Sequence, residues 1–220
     1  MALNKLKFNS INVTPAANEA LKFNSSANGF ETGSAGGAMT FISKQTASSS
    51  ATISFTSGID STYKEYLFIY NDIHPATDRA HFQFQVDTGT NTNYNQNITN
   101  TFFVSYNQED SGVTGITYDT NYDQGSDSDN YFQHIAKEVN GDNDGCASGI
   151  LHLFNPSSTT FVKHFMSRSQ VYVAPSSGTD FSQDMNFAGY FNTTTALTRV
   201  QFKMSTGNID AGTITLYGIN

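Results

Sequence analysis

TRVQFKM at residues 198–204 alternates without a break, with Val200, Phe202 and Met204 on one face and Arg199, Gln201 and Lys203 on the other. STGNIDAG at 205–212 separates it from a second run, TITLYGI at 213–219, in which Ile214 and Leu216 share a face. Alternation with a period of two marks a strand with one buried side. Two such runs joined by Gly- and Asn-rich residues predict a β-hairpin. Core residues so near the last position predict an ordered C-terminus rather than a frayed one.

Working outward, AHFQFQV at 80–86 repeats the pattern, with Phe82, Phe84 and Val86 expected inward and His81, Gln83 and Gln85 expected in solvent. YLFIYNDI at 66–73 is apolar almost throughout, as in a central strand covered on both faces. DIHPATD at 72–78 reads as the turn between them, with Pro75 ending the first strand's pairing. MTFISK at 39–44 and TISF at 52–55 flank a polar run at 45–51 and predict another hairpin. Further strands are expected at 101–106, 148–154, 161–166, 170–173 and 185–191. Only NYFQHIAKEV at 130–139 has helical spacing, through Phe132, Ile135 and Val139. A parallel α/β fold would need amphipathic crossover segments, and they are missing. The expected fold is therefore all-β: an antiparallel β-sandwich of jelly-roll type, one domain over residues 38–220.

The first 37 residues read differently. LKFNS occurs at 6–10 and again at 21–25, and each copy puts Leu and Phe on one face of a short strand. Such a pair is either a duplicated edge strand or a docking element for a neighbouring subunit. NGFETGSAGGA at 28–38 has the composition of a mobile connection. Residues 1–37 are accordingly expected to form an extended N-terminal arm used for attachment.

Composition narrows the partners. Only 14% of the residues are charged and 13% are aromatic. Uncharged Ser, Thr, Asn and Gly therefore cover the surface, and disorder is disfavoured. A net charge of −8 with scattered basic residues argues against nucleic acid, whose phosphates need clustered Lys and Arg. No apolar run approaches the ~20 residues that span a bilayer, so no membrane insertion is expected. MALNKLKFNSINV lacks the apolar stretch of a secretory signal. Cys146, the sole cysteine, sits in GDNDGCASG, where acidic neighbours disfavour a thiolate. The sequons at Asn12, Asn24, Asn97 and Asn192 carry no weight without a eukaryotic secretory route.

Candidate chemistry is sparse. DTNYDQGSDSD at 119–129 has alternating oxygen ligands of the kind calcium uses, but its glycine falls seventh and position twelve is Asn130 rather than Glu. GDNDG at 141–145 is a similar acidic turn, and for both the alternatives are calcium binding or solvated loop charge. His74, His81, His134, His152 and His164 show no metal spacing, although His152 and His164 lie on neighbouring expected strands where they could pair. No Gly-x-Ser-x-Gly elbow or phosphate loop is present, and Glu19, Glu31, Glu65, Glu109 and Glu138 form no evident pair. The expectation is a protein without catalytic residues, cofactor or metal. Tyr94, Tyr118, Tyr122 and Tyr131 lie in expected loops beside Asn and Asp, the composition of an adaptable recognition surface for glycan or protein.

QFKMSTGNIDAGTITLYGI at 201–219, LHLFNPSS at 151–158 followed by Lys163, and SGIDSTYKEYLFIYNDIH at 57–74 carry a family likeness. From about Ala38 onward the chain resembles small virion structural or tail-fibre-like proteins of marine bacteriophages, including those of cyanobacteria. The resemblance implies a particle component made in the bacterial host's cytoplasm. It also implies a tail-associated fibre or tip protein involved in host attachment, or alternatively a decoration or cement protein of the phage head. A glycan-active enzyme is the remaining alternative. Other virion proteins and a host surface glycan or protein are the expected partners, and a homo-oligomer, with a trimer favoured, is the expected assembly.

Overall fold

The computed structural model describes residues 13–14, 19–34, 38–110, 112–127, 131–175 and 178–220. The chain divides into two units, Met1–Ala38 and Met39–Asn220. In the first, β1 (Glu19–Phe23) pairs antiparallel with β2 (Phe30–Ser34), and the Phe23 and Phe30 rings stack at 5.0 Å. The Asn24 backbone closes the turn, its carbonyl accepting from Ala27 N and its N–H donating to Gly29 O. The second LKFNS copy thus begins in a strand, while the first lies outside the described residues. Part of the Gly-rich stretch is paired strand and not a mobile connection, because β2 runs through Phe30–Ser34.

The second unit is built from two antiparallel sheets. The nine-stranded sheet runs β3-β15-β5-β11-β12-β13-β7-β8, with β9 also on β7, and the four-stranded sheet runs β10-β6-β14-β4. Their ranges are β3 Met39–Thr46, β4 Ile53–Phe55, β5 Glu65–Pro75, β6 Ala80–Thr88, β7 Ile98–Gln108, β8 Thr114–Tyr118, β9 Gly125–Asp127, β10 Gln133–Val139, β11 Ala147–Phe154, β12 Lys163–Val173, β13 Phe181–Phe191, β14 Leu197–Met204 and β15 Ile209–Ile219. No α-helix occurs among the described residues, so none there is long and apolar enough to cross a membrane.

The runs at 198–204 and 213–219 are both strands, yet they are not a hairpin. β14 pairs with β6 and β4, whereas β15 pairs with β5 and β3 in the other sheet. After Met204 the chain crosses the sandwich: Ser205 N donates to His81 O, and Ala76 N donates to Asn208 O. Gly207, at φ +70, makes that corner, and a Cβ there would collide with Thr77 Oγ1. The same correction holds for 39–55, where β3 and β4 also lie in opposite sheets. Four such arches stack side by side, β3/β4, β15/β14, β5/β6 and β11/β10 in spatial order. In an arch the apolar faces of consecutive strands meet across the core instead of lying side by side.

That core is aromatic. Phe202 stacks on Phe82 at 5.6 Å and meets Phe55 and Phe68 edge-on at 6.1 Å and 5.4 Å. Such ring pairs draw side chains from both sheets into one cluster. Val200, Met204, Ile214 and Leu216 are buried beside it. β5 carries Tyr66, Phe68 and Tyr70 inward with no exposure and continues to Pro75, so the turn is confined to residues 76–79. Two segments expected as separate strands, 161–166 and 170–173, are one continuous β12. Its Ser167 and Ser169 point inward, where their hydroxyls lie 3.1 Å and 2.5 Å from Tyr70 Oη. Enclosure raises the Tyr70 pKa to about 12, so it stays a neutral hydrogen-bonding group.

Of the segment expected as a helix, the described residues 131–139 form none; from Gln133 onward they are β10, at the edge of the smaller sheet. Its pairing with β6 shifts register twice, between His134 and Ala136 and between Ala136 and Val139. Each irregularity displaces the inward residue by a position, so the spacing imitates a helix.

Asp87 organises the β6–β7 connection. Fully buried, its carboxylate accepts N–H bonds from Thr88 and Tyr94, each at 2.8 Å. Asp87→Ala leaves both donors without their acceptor and is expected to destabilise the protein by about 2–4 kcal/mol. Urea unfolding of the variant against wild type measures this, and a loss below about 0.5 kcal/mol would contradict it.

Candidate functional site

The outward face of the smaller sheet is not solvated as its alternation predicts. Gln85 is fully buried and its amide donates to Gln96 O and Tyr131 O, both at 3.0 Å. Loop backbone therefore lies over β6. Phe132 covers the same face, with Lys203 Nζ 4.1 Å from its ring centroid, a cation–π contact. His81, expected in solvent, instead sits 4.8 Å from the His134 ring and edge-on to Tyr122 at 5.7 Å. Its Nδ1 accepts from Glu138 N at 2.9 Å, which leaves the proton of the neutral ring on Nε2.

Residues 119–124 are fixed by β7. Asn100 donates through Nδ2 to Tyr122 O at 3.1 Å and accepts from Gln124 N at 2.6 Å, replacing the pairing that a strand would have made. The segment holds a single 3-10 turn, Thr120–Tyr122, capped by Asp119. Tyr122 packs against Phe102 at 5.5 Å, and Lys137 Nζ stands 4.9 Å over its ring. The Asp119 carboxylate meets Lys137 Nζ at 3.2 Å. Burial pushes Asp119 upward, but the bonds from Asn121 and Lys137 outweigh this and hold it below the usual carboxylate range.

Between this segment and the start of β10 opens a cleft of about 290 Å³, lined by Asn121, Asp123, Gln124, Tyr131, Phe132 and His134 among others. Tyr131 is 56% exposed beside it. Beneath the lining, Asp123 Oδ1 and His134 Nδ1 are buried and have no hydrogen-bond partner. Burial, reinforced by His81, depresses the His134 pKa to about 3 and keeps the ring neutral. Asp123 Oδ2 accepts from the exposed Tyr118 hydroxyl, which raises the pKa of that phenol. Aromatic surface, amides and a carboxylate thus converge on one polar opening.

The other candidates fall elsewhere. Tyr94 is only 4% exposed and its N–H is held by Asp87, so it is not a surface tyrosine. Tyr122 is wedged into the sandwich, leaving Tyr118 and Tyr131 as the exposed members of the four. Described carboxylates of the 119–129 segment are turned to Lys137 and Tyr118. In 141–145, Asp142 bonds to Asn140 as a local turn. Among the described residues no group of three or more His, Cys, Asp and Glu could hold a metal ion. His152 and His164 do not pair directly: Met166 lies opposite His152, and Tyr190 opposite His164. His152 bonds to Glu65 instead. His74 Nδ1 lies 2.6 Å from Gly145 O. Burial and the nearby Asp72 and Asp144 raise the Cys146 thiol pKa, away from thiolate chemistry.

Of the cleft residues, Gln124, Phe132 and His134 were not expected in a recognition surface. The helical spacing at 130–139 concealed β10, which carries His134 and begins directly after Phe132. No family model matches the chain, and no curated protein or solved structure is detectably similar to it. What the fold and the cleft define is an all-β sandwich with a polar, aromatic-edged opening over its smaller sheet.

Proposed function

We propose that the chain is a non-catalytic bacteriophage virion protein, tail-associated as a fibre or tip component, that attaches the particle to the host surface through the cleft at residues 121–125 and 131–134. The observation that carries this reading is the placement of exposed Tyr131 beside Asn121, Asp123 and Gln124 in one polar opening. A ring for stacking next to amide and carboxylate groups suits a hydroxyl-rich ligand such as a surface oligosaccharide. The reading draws on the resemblance to marine phage virion proteins expected from residues 57–74, 151–158 and 201–219, and on the low-charge surface. The four stacked arches support reading the sandwich as a jelly roll, whose strands alternate between sheets in this way. The protein works as a homo-oligomer, a trimer being the favoured form, and its N-terminal unit joins it to another virion protein.

Titration of oligosaccharides from host lipopolysaccharide by calorimetry tests the proposal. Tyr131→Ala and Asp123→Ala are each expected to weaken binding about tenfold or more, equal to about 1.4 kcal/mol. Absence of binding to host cells and to their lipopolysaccharide would end the attachment reading. Hydrolysis of the oligosaccharide, lost in Asp123→Ala, would replace it with an enzymatic one. A head decoration or cement role is the second reading. The broad apolar exterior of the nine-stranded sheet favours it, since such a surface suits packing against protein.

A further inference from the structure

The two sandwich exteriors differ. Loops of the same chain cover part of the smaller sheet's outer side, whereas the nine-stranded sheet's outer side carries a concentration of exposed apolar groups. Register places Phe41, Tyr217, Leu67, His152, Met166 and Ala188 in one row across six strands, all on that side. Neighbouring rows add Met39 and Phe154 towards one end of the strands and Ile69, Ile150 and Phe103 towards the other. Met166 and Phe41 are 56% and 58% exposed, and Ile116 at the β8 edge is 76% exposed. A depression of about 410 Å³ beside Met166 is walled by Ile150, His152 and Phe154.

We infer that this face is where copies of the chain meet one another. The inference rests on the homo-oligomer reading above and assigns a surface to it, although a face that meets its own copy joins chains in pairs, a dimer in place of the trimer favoured there. Two observations select a second copy as the occupant. The first is charge. The described formal charges on the face are Lys44 and Arg168 against Glu65, Asp72 and Asp184, a sum of only −1, although the chain carries −8. Arg168 and Asp184 neutralise each other through two bonds of 2.8 Å, and Glu65 is bonded to His152. An identical face brought against it meets little like-charge repulsion, while a strongly charged partner gains little. The second is area. Seven strands about 4.8 Å apart, β3 to β7 across the sheet, with three outward rows about 6.8 Å apart, give a flat extent of roughly 700 Å². That is close to the roughly 800 Å² per partner that a stable protein interface needs.

Light scattering coupled to size exclusion, at about 10–100 µM, decides the matter for the full chain. Wild type is expected at two or more chain masses. Met166→Lys and, separately, Phe41→Asp change exposed positions and are expected to run as monomers with unchanged circular dichroism. A monomeric wild type overturns the inference together with the oligomer reading, and leaves the face to a different particle protein. An oligomer whose mass neither substitution alters overturns the surface assignment alone.

Discussion

Phe202→Ala is expected to destabilise the protein by about 3–5 kcal/mol, the largest effect of any single truncation in residues 198–204. The ring is fully buried and touches Phe55, Phe68 and Phe82, which come from β4, β5 and β6. Phe84, its register partner on β6, lies at 6.2 Å. Both sheets therefore border the space that the alanine would leave, and paired strands cannot close in to fill it. Because a domain's whole stability is roughly 5–15 kcal/mol, such a loss lowers the melting temperature by roughly 10 °C. Lys203 is one residue along and faces outward, in contact with the Phe132 ring. Lys203→Ala removes only that contact and should cost below about 1 kcal/mol. Thermal and urea unfolding of the pair give the comparison. Equal losses at 202 and 203 would contradict the placement of β14.

Acidification should destabilise the protein through His134. Burial, then proximity to His81, holds its pKa at about 3 in the folded chain, against about 6.5 when unfolded. Below about 6.5 the unfolded chain takes up a proton that the native state refuses. Stability is thus fully present above that pH and falls as the pH drops towards the folded value, by about 1.4 kcal/mol per pH unit for one proton. His81 acts in the same direction, its pKa lowered chiefly by burial although Glu138 opposes this. Arg79, Lys137, Glu138 and Asp119 are the charged groups around the pair. Between about pH 7 and pH 5, wild type should lose about 2 kcal/mol more than His134→Gln. Carboxylates shared by both proteins cancel in that difference. Equal pH dependence in the two would show that the ring takes up its proton as readily in the fold as in the unfolded chain, and would contradict its burial.

The strands were legible because their residues alternate; their partners were not. Val200, Phe202 and Met204 alternate identically whether β14 and β15 lie side by side in a hairpin or face each other across a core. Only long-range pairing separates the two arrangements, through β6 and β5 here, and local sequence does not carry it. Ser167 and Ser169 broke the apolar pattern of β12, because the core accepts hydroxyls where Tyr70 can bond them. Irregular pairing at His134–Val139 turned a strand's spacing into a helix's. The site was half visible. Tyr131 and Asp123 belong to a loop composition suited to recognition, but Tyr94 shared that composition and is buried because Asp87 holds its backbone. His134 had no signal of its own, since its setting depends on Tyr122 folding over β10.

Attachment through the cleft is tested most directly by a cryo-electron-microscopy map of the intact particle. Density for this chain is expected at the tail, in a few symmetric copies, with Tyr131 and Asp123 facing outward. Hundreds of copies on the head lattice, with the cleft buried against capsid protein, would contradict it.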